Sequence, residues 1–256
     1  MEYNCGKFLN QYVDRSDIQA SYNHQGSKAM VIVETRCGYW LPMVIRNAID
    51  KLPGWNLYVV GPKRVIEFIK DQVGGVFIPV VLDVQKMNIA MYNYLLMDAS
   101  FWKKFREEHI LIFQMDCLLL REPSDDMLEW DYVGPLCGSL NESEFIMNGG
   151  LSLRNKTAMI KACETFTDEE RKLPEDIAFT RCMRRQKDFK LPAMNTCYKF
   201  RQGTCWWNVY SGCIGCGSNE HRHVQLSSDG CIVLEKISRG THPHISDGLL
   251  VVKRTK

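Results

Sequence analysis

Neither sign of charge dominates this sequence of 256 residues: 32 Lys and Arg stand against 30 Asp and Glu, a formal charge of +2. That balance does not announce the concentrated basic surface expected of a nucleic-acid-binding domain. Long apolar runs are missing as well. The longest, Val76 to Leu82, is far short of the roughly 20 residues that a membrane-spanning helix requires. Met1 to Lys28 contains no apolar core of the kind a secretory signal carries. Internal repeats and low-complexity tracts are absent. No Gly-x-Gly-x-x-Gly follows the first candidate strand, where Arg36-Cys-Gly-Tyr-Trp40 stands instead, and this argues against a dinucleotide-dependent dehydrogenase. The expectation is a soluble, cytoplasmic chain (in a host's cytoplasm, were the source viral) with no membrane span and no nucleic-acid partner.

What is present is ordinary globular composition, 45% hydrophobic and 24% charged, over a length that supports one large domain. Cysteine is the exception. There are 11, an odd number in a chain without an export signal, so most are expected to be reduced thiols buried as small apolar residues. One group stands apart: Cys205, Cys213-Ile-Gly-Cys216, His221 and His223. Cys-x-x-Cys with two histidines has zinc-ligand chemistry, but zinc modules usually place the second ligand pair about a dozen residues after the first. Here it follows almost at once, so a structural zinc is disfavoured. Trp206, Trp207 and Tyr210 in the same region read either as a stacking platform for an acceptor or as core.

Residues 1–27 are polar and mixed, and read as a loosely attached arm. From Lys28 the pattern changes. Ala29 to Val33, Leu57 to Val60, Val76 to Leu82 and His109 to Phe113 are short apolar runs, as in strands buried on both faces. Between them lie apolar residues at helical spacing: Trp40 to Leu52, Val65 to Ile69, and one long helix from about Asn88 to Phe105. Tyr132 to Gly134 and Phe145 to Leu153 read as further strands, Lys156 to Thr165 as a helix, and Pro174 as the start of another. Strand–helix alternation of this kind predicts an α/β domain with a mixed, largely parallel sheet flanked by helices, continuous over 28–256, with a Cys/His-rich subregion at about 197–245. Ligands of such sheets sit beyond the carboxyl ends of the strands. Those ends are Glu34-Thr35-Arg36, Gly61-Pro62, Asp83 and Asp116.

Four strings carry candidate chemistry. Gln114-Met115-Asp116 closes a buried strand; a carboxylate there holds a divalent cation that bridges a diphosphate, or merely caps a turn. Asn148-Gly149-Gly150 interrupts a strand-like run, the mark of close backbone approach by a ligand or of a bulge. Pro174-Glu175-Asp176 suits a helix start, yet two acids after the preceding strings also match the proton-removing group of a group-transfer enzyme. His242-Pro-His244 offers a late metal ligand or a polar turn.

In order and spacing, Val31-Ile-Val-Glu-Thr-Arg36, Val44-Ile-Arg-Asn-Ala48, Gly54-Trp55, Asn88-Ile89 with Tyr92-Asn-Tyr-Leu-Leu96, His109 to Asp116, Trp130 to Gly134, Asn148 to Arg154 and Pro174 to Ile177 resemble a little-characterised group of small GT-A-like glycosyltransferases of microbes and large DNA viruses. The likeness runs from about residue 28 to 180. It implies a Rossmann-like GT-A fold and an inverting enzyme that moves a sugar from a nucleotide-diphosphate sugar to a hydroxyl of a glycan or other acceptor. Glu34, Thr35 and Arg36 would lie beside the nucleotide, and Gln114 and Asp116 at the diphosphate. Asn148, Gly149 and Gly150 would line the sugar pocket. Asp176 would be the catalytic base with Glu175 beside it, and Asp116 with His242 or His244 would hold Mn or Mg. One departure is plain: Gln114 stands where the wider superfamily has the first Asp of Asp-x-Asp. Gln is a poorer ligand for a hard cation, so the leaving diphosphate would fall to a cation held by Asp116 or to Arg36, Arg46 or Arg154. The alternative reading is a non-catalytic nucleotide-sugar- or glycan-binding protein on the same fold.

Overall fold

The computed structural model describes residues 10–15, 17–18, 26–137 and 145–201, the backbone of 202–204, and four short strand segments near the two ends. Glu2–Tyr3, Val252–Arg254, Arg222–Leu226 and Ile232–Lys236 pair in that order as a small sheet.

The main sheet has six strands. Along the chain they are β1 (Lys28–Val33), β2 (Trp55–Gly61), β3 (Ile78–Val81), β4 (His109–Phe113), β5 (Tyr132–Val133) and, beyond the hairpin β6 (Leu136–Cys137) and β7 (Ile146–Met147), β8 (Leu151–Asn155). Across the sheet the order is β3-β2-β1-β4-β8-β5. The first four run parallel, and β8 is antiparallel to both β4 and β5. β1 lies at the centre of the parallel part, with Met30 beside both Leu57 and Leu111. Every residue of β2, and all but the first of β1 and β4, is buried. That burial is why these strands read as unbroken apolar runs rather than alternating ones.

Helices connect and cover the strands: α1 (Leu41–Lys51), α2 (Lys63–Val73), α3 (Ile89–Leu96), α4 (Ala99–Trp102), α5 (Lys156–Thr165), α6 (Glu175–Arg185) and α7 (Met194–Thr204). The single helix expected from about Asn88 to Phe105 is two. Asn88 caps α3 by accepting from the Met91 amide at 2.9 Å, and Asp98, in extended conformation, caps α4 by accepting from Ser100 at 2.8 Å. An Asp side chain that takes the backbone's own donor restarts a helix rather than continuing one. Trp102 then turns back and donates Nε1–H to Leu96 O at 2.7 Å, which satisfies a carbonyl at the end of α3. Phe101, Trp102, Phe105, Tyr132, Phe166 and Phe179 pack edge to face around this break.

Similarly, the strand expected over Phe145 to Leu153 is interrupted between β7 and β8. Asn148 Oδ1 accepts from the amides of Gly150 (2.9 Å) and Leu151 (3.2 Å). This local turn competes with the ladder and wins.

The segment expected to be a loosely attached arm includes residues that pack into the core: Tyr12 and Ile18 are buried. Arg46, on α1, donates to the carbonyls of Tyr12 (3.0 Å), Val13 (2.7 Å) and Gln72 (2.6 Å). Asn47 beside it donates to Tyr12 Oη (3.3 Å) and Leu119 O (3.0 Å) and accepts from the Leu119 amide (2.8 Å). Buried thiols fill gaps in the core, and burial pushes Cys163 and Cys197 up to about 12. Among the described residues no helix is long and apolar enough to cross a membrane.

Asn47 is fully buried and satisfies both backbone groups of Leu119. Asn47→Ala leaves those groups unpaired, at about 1–3 kcal/mol for each buried polar group that loses its partner. Urea unfolding should show a stability loss of that order; a midpoint within error of wild type would refute the bridging role.

Candidate functional site

The carboxyl ends of β1 and β4 open on the same edge of the sheet because the two strands are parallel neighbours. At the end of β1, the Glu34 side chain folds back over the two residues after it. Its Oε1 accepts from the amides of Thr35 (2.8 Å) and Arg36 (2.9 Å), and its two oxygens take Nε and Nη2 of Arg36 at 2.9 and 2.8 Å. The carboxylate is buried and the guanidinium is not, with two-thirds (66%) of the Arg36 side chain exposed. Thr35 ties this end to the loop after β3: its Oγ1 accepts from the Met87 amide at 3.2 Å, while Arg64 bridges Thr35 O and Gln85 O.

At the end of β4 the chain makes a tight turn, with Cys117 N bonded to Gln114 O at 2.9 Å. Cys117 Sγ meets the Gln114 amide and Gly150 O, both at 3.3 Å. Asp116 is half-buried. Burial pushes its carboxyl above the usual aspartate range, and Arg36 pulls it part of the way back. The ends of β1 and β4 therefore form one electrostatic unit.

The turn at Asn148–Gly150 sits against this edge because β8 runs antiparallel to β4, with Leu151 opposite Phe113. Its two glycines face different partners. A Cβ on Gly150 would lie 2.5 Å from Gln114 Oε1, and one on Gly149 would overlap Glu175 Oε1. At Gly149 a side chain would have to displace a carboxylate held in an ion pair, whereas at Gly150 the Gln114 amide would have to swing aside.

Glu175 and Asp176 begin α6. Glu175 is buried and forms a two-pronged ion pair with Arg154 of β8, Oε2 to Nη1 at 2.8 Å and Oε1 to Nη2 at 3.0 Å. Arg154 is wholly enclosed. It also donates to Ser152 Oγ (2.8 Å) and Gly149 O (3.2 Å), and its guanidinium lies 4.7–5.5 Å from the ring centres of Tyr132, Phe179 and Trp102. Burial works against the charge of Arg154, and the Glu175 carboxylate more than restores it, so the guanidinium stays protonated. Asp176 is left half-buried beside the pair. It accepts from the amide of Ile177 at 2.8 Å, and the Gly149 backbone lies close by. Burial raises its pKa, while these backbone groups and Arg154 oppose the rise.

Gln114, Asp116, Asn148, Gly149, Gly150, Glu175 and Asp176 thus belong to one constellation, and Glu34, Thr35 and Arg36 flank it. Two expectations need correction. Arg154 and Arg46 are not available to a leaving diphosphate: both are buried, Arg154 is paired with Glu175, and both Nη groups of Arg46 are spent on carbonyls of the core. Of the three candidate arginines only Arg36 is exposed. His242, His244 and the group Cys205, Cys213, Cys216, His221 and His223, together with Trp206, Trp207 and Tyr210, lie outside the residues whose side chains are described.

Tyr92 and Asn93 of α3 also border the candidate site; the helical pattern turns Tyr92 inward but assigns neither a part in the site. Asn93 Oδ1 accepts from the Glu175 amide at 3.3 Å, taking an open donor at the start of α6. The Tyr92 hydroxyl is buried near Gln114 with no well-formed hydrogen bond, and burial and Glu175 raise its pKa. The two adjacent polar residues within an otherwise apolar helix were the available signal.

A divalent cation would need more than one carboxylate. Among the described residues no three His, Cys, Asp or Glu side chains gather as a metal site. Glu34 is committed to Arg36, and the Gln114 oxygen is turned to Gly150. The described residues around Asp116 therefore do not complete a cation cage.

Residues 81–216 match the family described as protein of unknown function (DUF5672). The match spans more than half of the chain, and the chain belongs to that family. It takes in Gln114 to Asp176 but not Glu34 to Arg36. No curated protein matches. Among solved structures, the glycosyltransferase GlyE of Streptococcus pneumoniae TIGR4 aligns with 64% of this chain at 14% identity and a TM-score of 0.43. A 4-diphosphocytidyl-2C-methyl-D-erythritolsynthase of Anaerococcus prevotii aligns with 68% of it at 10% identity and a TM-score of 0.33. The alignments cover 44% and 82% of those two chains, respectively.

Gly149→Ala tests the close contact between the turn and α6. A methyl group there must displace the Glu175 carboxylate, and overpacking of this kind typically costs about 1–3 kcal/mol. A fall in thermal midpoint of several degrees is expected; an unchanged midpoint would mean that the turn has slack.

Proposed function

We propose that this chain is a nucleotide-sugar-dependent glycosyltransferase that acts by direct displacement with inversion. The observation that carries the reading is the juxtaposition of Asp176 with Gly149 across from the strand-end pair Gln114 and Asp116. A proton acceptor, a turn with two adjacent glycines and the carboxyl end of β4 thus lie at one edge of the sheet. The residue pattern that resembles GT-A-like enzymes supports the same assignment.

In this mechanism the donor's diphosphate lies at the carboxyl ends of β1 and β4, with its sugar against Asn148, Gly149 and Gly150. The acceptor hydroxyl oxygen attacks the anomeric carbon and gives its proton to Asp176. The bond from that carbon to the phosphate oxygen breaks, and the nucleoside diphosphate leaves with the electron pair. Attack opposite the leaving group inverts the configuration. Asp176 suits the base because burial lifts its proton affinity while amide donors keep the ionised form within reach, the compromise general-base catalysis needs. Arg36 is the exposed cation beside Asp116 and would neutralise the departing charge. Mn or Mg held by Asp116 would assist as a Lewis acid once further ligands joined it, but the described residues do not supply them, and no step is assigned to a metal. Glu175 is given to holding Arg154 rather than to proton transfer.

Asp176→Asn should lower transfer by about 10²- to 10⁴-fold, the range of a lost general base, with donor affinity nearly unchanged. Release of nucleoside diphosphate from a panel of nucleotide sugars measures this. Asp176 must be ionised to accept a proton, so wild-type activity should be present above its pKa and fall as pH drops through it. Burial places that limb above the ordinary aspartate value of 3.8. A mutant that transfers at the wild-type rate would falsify the assignment of the base. Thermal stabilisation by a nucleotide sugar without turnover would favour the non-catalytic binder instead.

Asp116→Ala should weaken donor binding, read by calorimetry with the nucleotide sugar that stabilises the protein most. Unchanged affinity would remove Asp116 from the diphosphate site.

A further inference from the structure

Arg154 touches no solvent and so no substrate, yet every polar contact it makes belongs to the site's framework. Its Nη2 donates both to Gly149 O and to Glu175 Oε1, its Nη1 to Glu175 Oε2, and its Nε to Ser152 Oγ, which itself donates to Gly149 O at 3.0 Å. One planar group therefore grips the glycine turn and the first residue of α6 together. Tyr132, Trp102 and Phe179 surround it from β5, α4 and α6. Enclosure in aromatic faces excludes the water that would otherwise compete for its donors.

We infer that Arg154 is a positioning residue for the proposed transfer: by joining Gly149 to Glu175 it fixes the distance between the Asn148–Gly150 turn and the start of α6, and with it the place of Asp176. The inference rests on the glycosyltransferase reading for its kinetic consequence but not for its structural one. Glu175 carries the backbone of the next residue, and the Gly149 backbone lies close enough to Asp176 to lower its pKa. The linkage is continuous: Gly149 O to Arg154, Arg154 to Glu175, and Glu175 by covalent bond to Asp176. A lysine cannot reproduce it, because an ammonium is a point charge without the fork that takes both carboxylate oxygens at once.

The test uses the full chain with Arg154→Lys, which keeps the buried charge and loses the fork, and Glu175→Gln, which keeps the shape and loses the charge. In Arg154→Lys, kcat for the nucleotide sugar turned over by wild type should fall at least about tenfold, the factor of a modest misplacement, with KM within about threefold. In Glu175→Gln the acid limb of kcat/KM should move to lower pH. Arg154 already holds the Asp176 pKa down and there loses its counter-charge, while Tyr132, the other titratable group facing Asp176, stays neutral at these pH values because burial raises it well above its usual range.

Amide hydrogen exchange supplies a readout that needs no substrate. Exchange at Gly149, Gly150 and Asp176 should quicken at least about tenfold in Arg154→Lys, with the amides of β1 and β2 unchanged. If wild type turns over no nucleotide sugar, the exchange result alone decides the positioning role, and the glycosyltransferase reading fails separately. Unaltered exchange at the turn would overturn the inference. So would quickening spread evenly over the sheet, or a loss confined to thermal stability with kcat intact.

Discussion

The site depends on a buried ion pair. Arg154 and Glu175 meet where β8, the glycine turn and α6 converge, and neither would be tolerated there alone. An unpaired charge in such surroundings is strongly destabilising, whereas a pair with well-formed hydrogen bonds roughly offsets its own desolvation. Here the geometry is two-pronged and the remaining donors are taken up by Ser152 and Gly149. The pair's net contribution to stability is therefore modest, and its main effect is to permit a single arrangement of the elements around it. Asp98 and Trp102 serve the same end from a distance. Breaking the α3–α4 segment brings Trp102 over the guanidinium and Asn93 onto the Glu175 amide.

The sheet's change of direction gives the pair its purpose. Parallel strands deliver β1 and β4 to one edge, where an anion-binding end is expected. β8 enters antiparallel, so its beginning, not its end, reaches that edge. Residues far apart in sequence, 114–117 and 148–150, thereby become neighbours without a long connection reaching over the site. Glu34 and Arg36 complete the edge with a charge pair of opposite character to the buried one, since its carboxylate is enclosed and its guanidinium is largely in solvent.

Much of this was legible from the residues. Unbroken apolar runs marked β1, β2 and β4, since strands covered on both faces have no polar side to alternate with. The run at β3 reads the same way, but β3 is the edge strand and is not buried on both faces, with Pro79 and Val81 exposed. The strand-end and glycine strings, read separately along the chain, come together at one edge of the sheet. The failures have a common cause in side chains that act on the backbone. Asp98 and Asn148 restart or interrupt elements through hydrogen bonds that periodicity does not register. Arginines raised a different difficulty. Arg36, Arg46 and Arg154 look alike in sequence, and which of them faces solvent is decided by aromatic residues and carbonyls from distant elements. Glu175 looked like a companion acid for the same reason: the partner that claims it lies on another strand.

Gly149 and Gly150 act together as a gauge of width. One lies against Glu175 and the other against the Gln114 amide, so the absence of a side chain at Gly149 lets α6 approach the turn. Any lineage or design that changes either residue alters the spacing of the proposed acceptor and donor sides before it alters their chemistry.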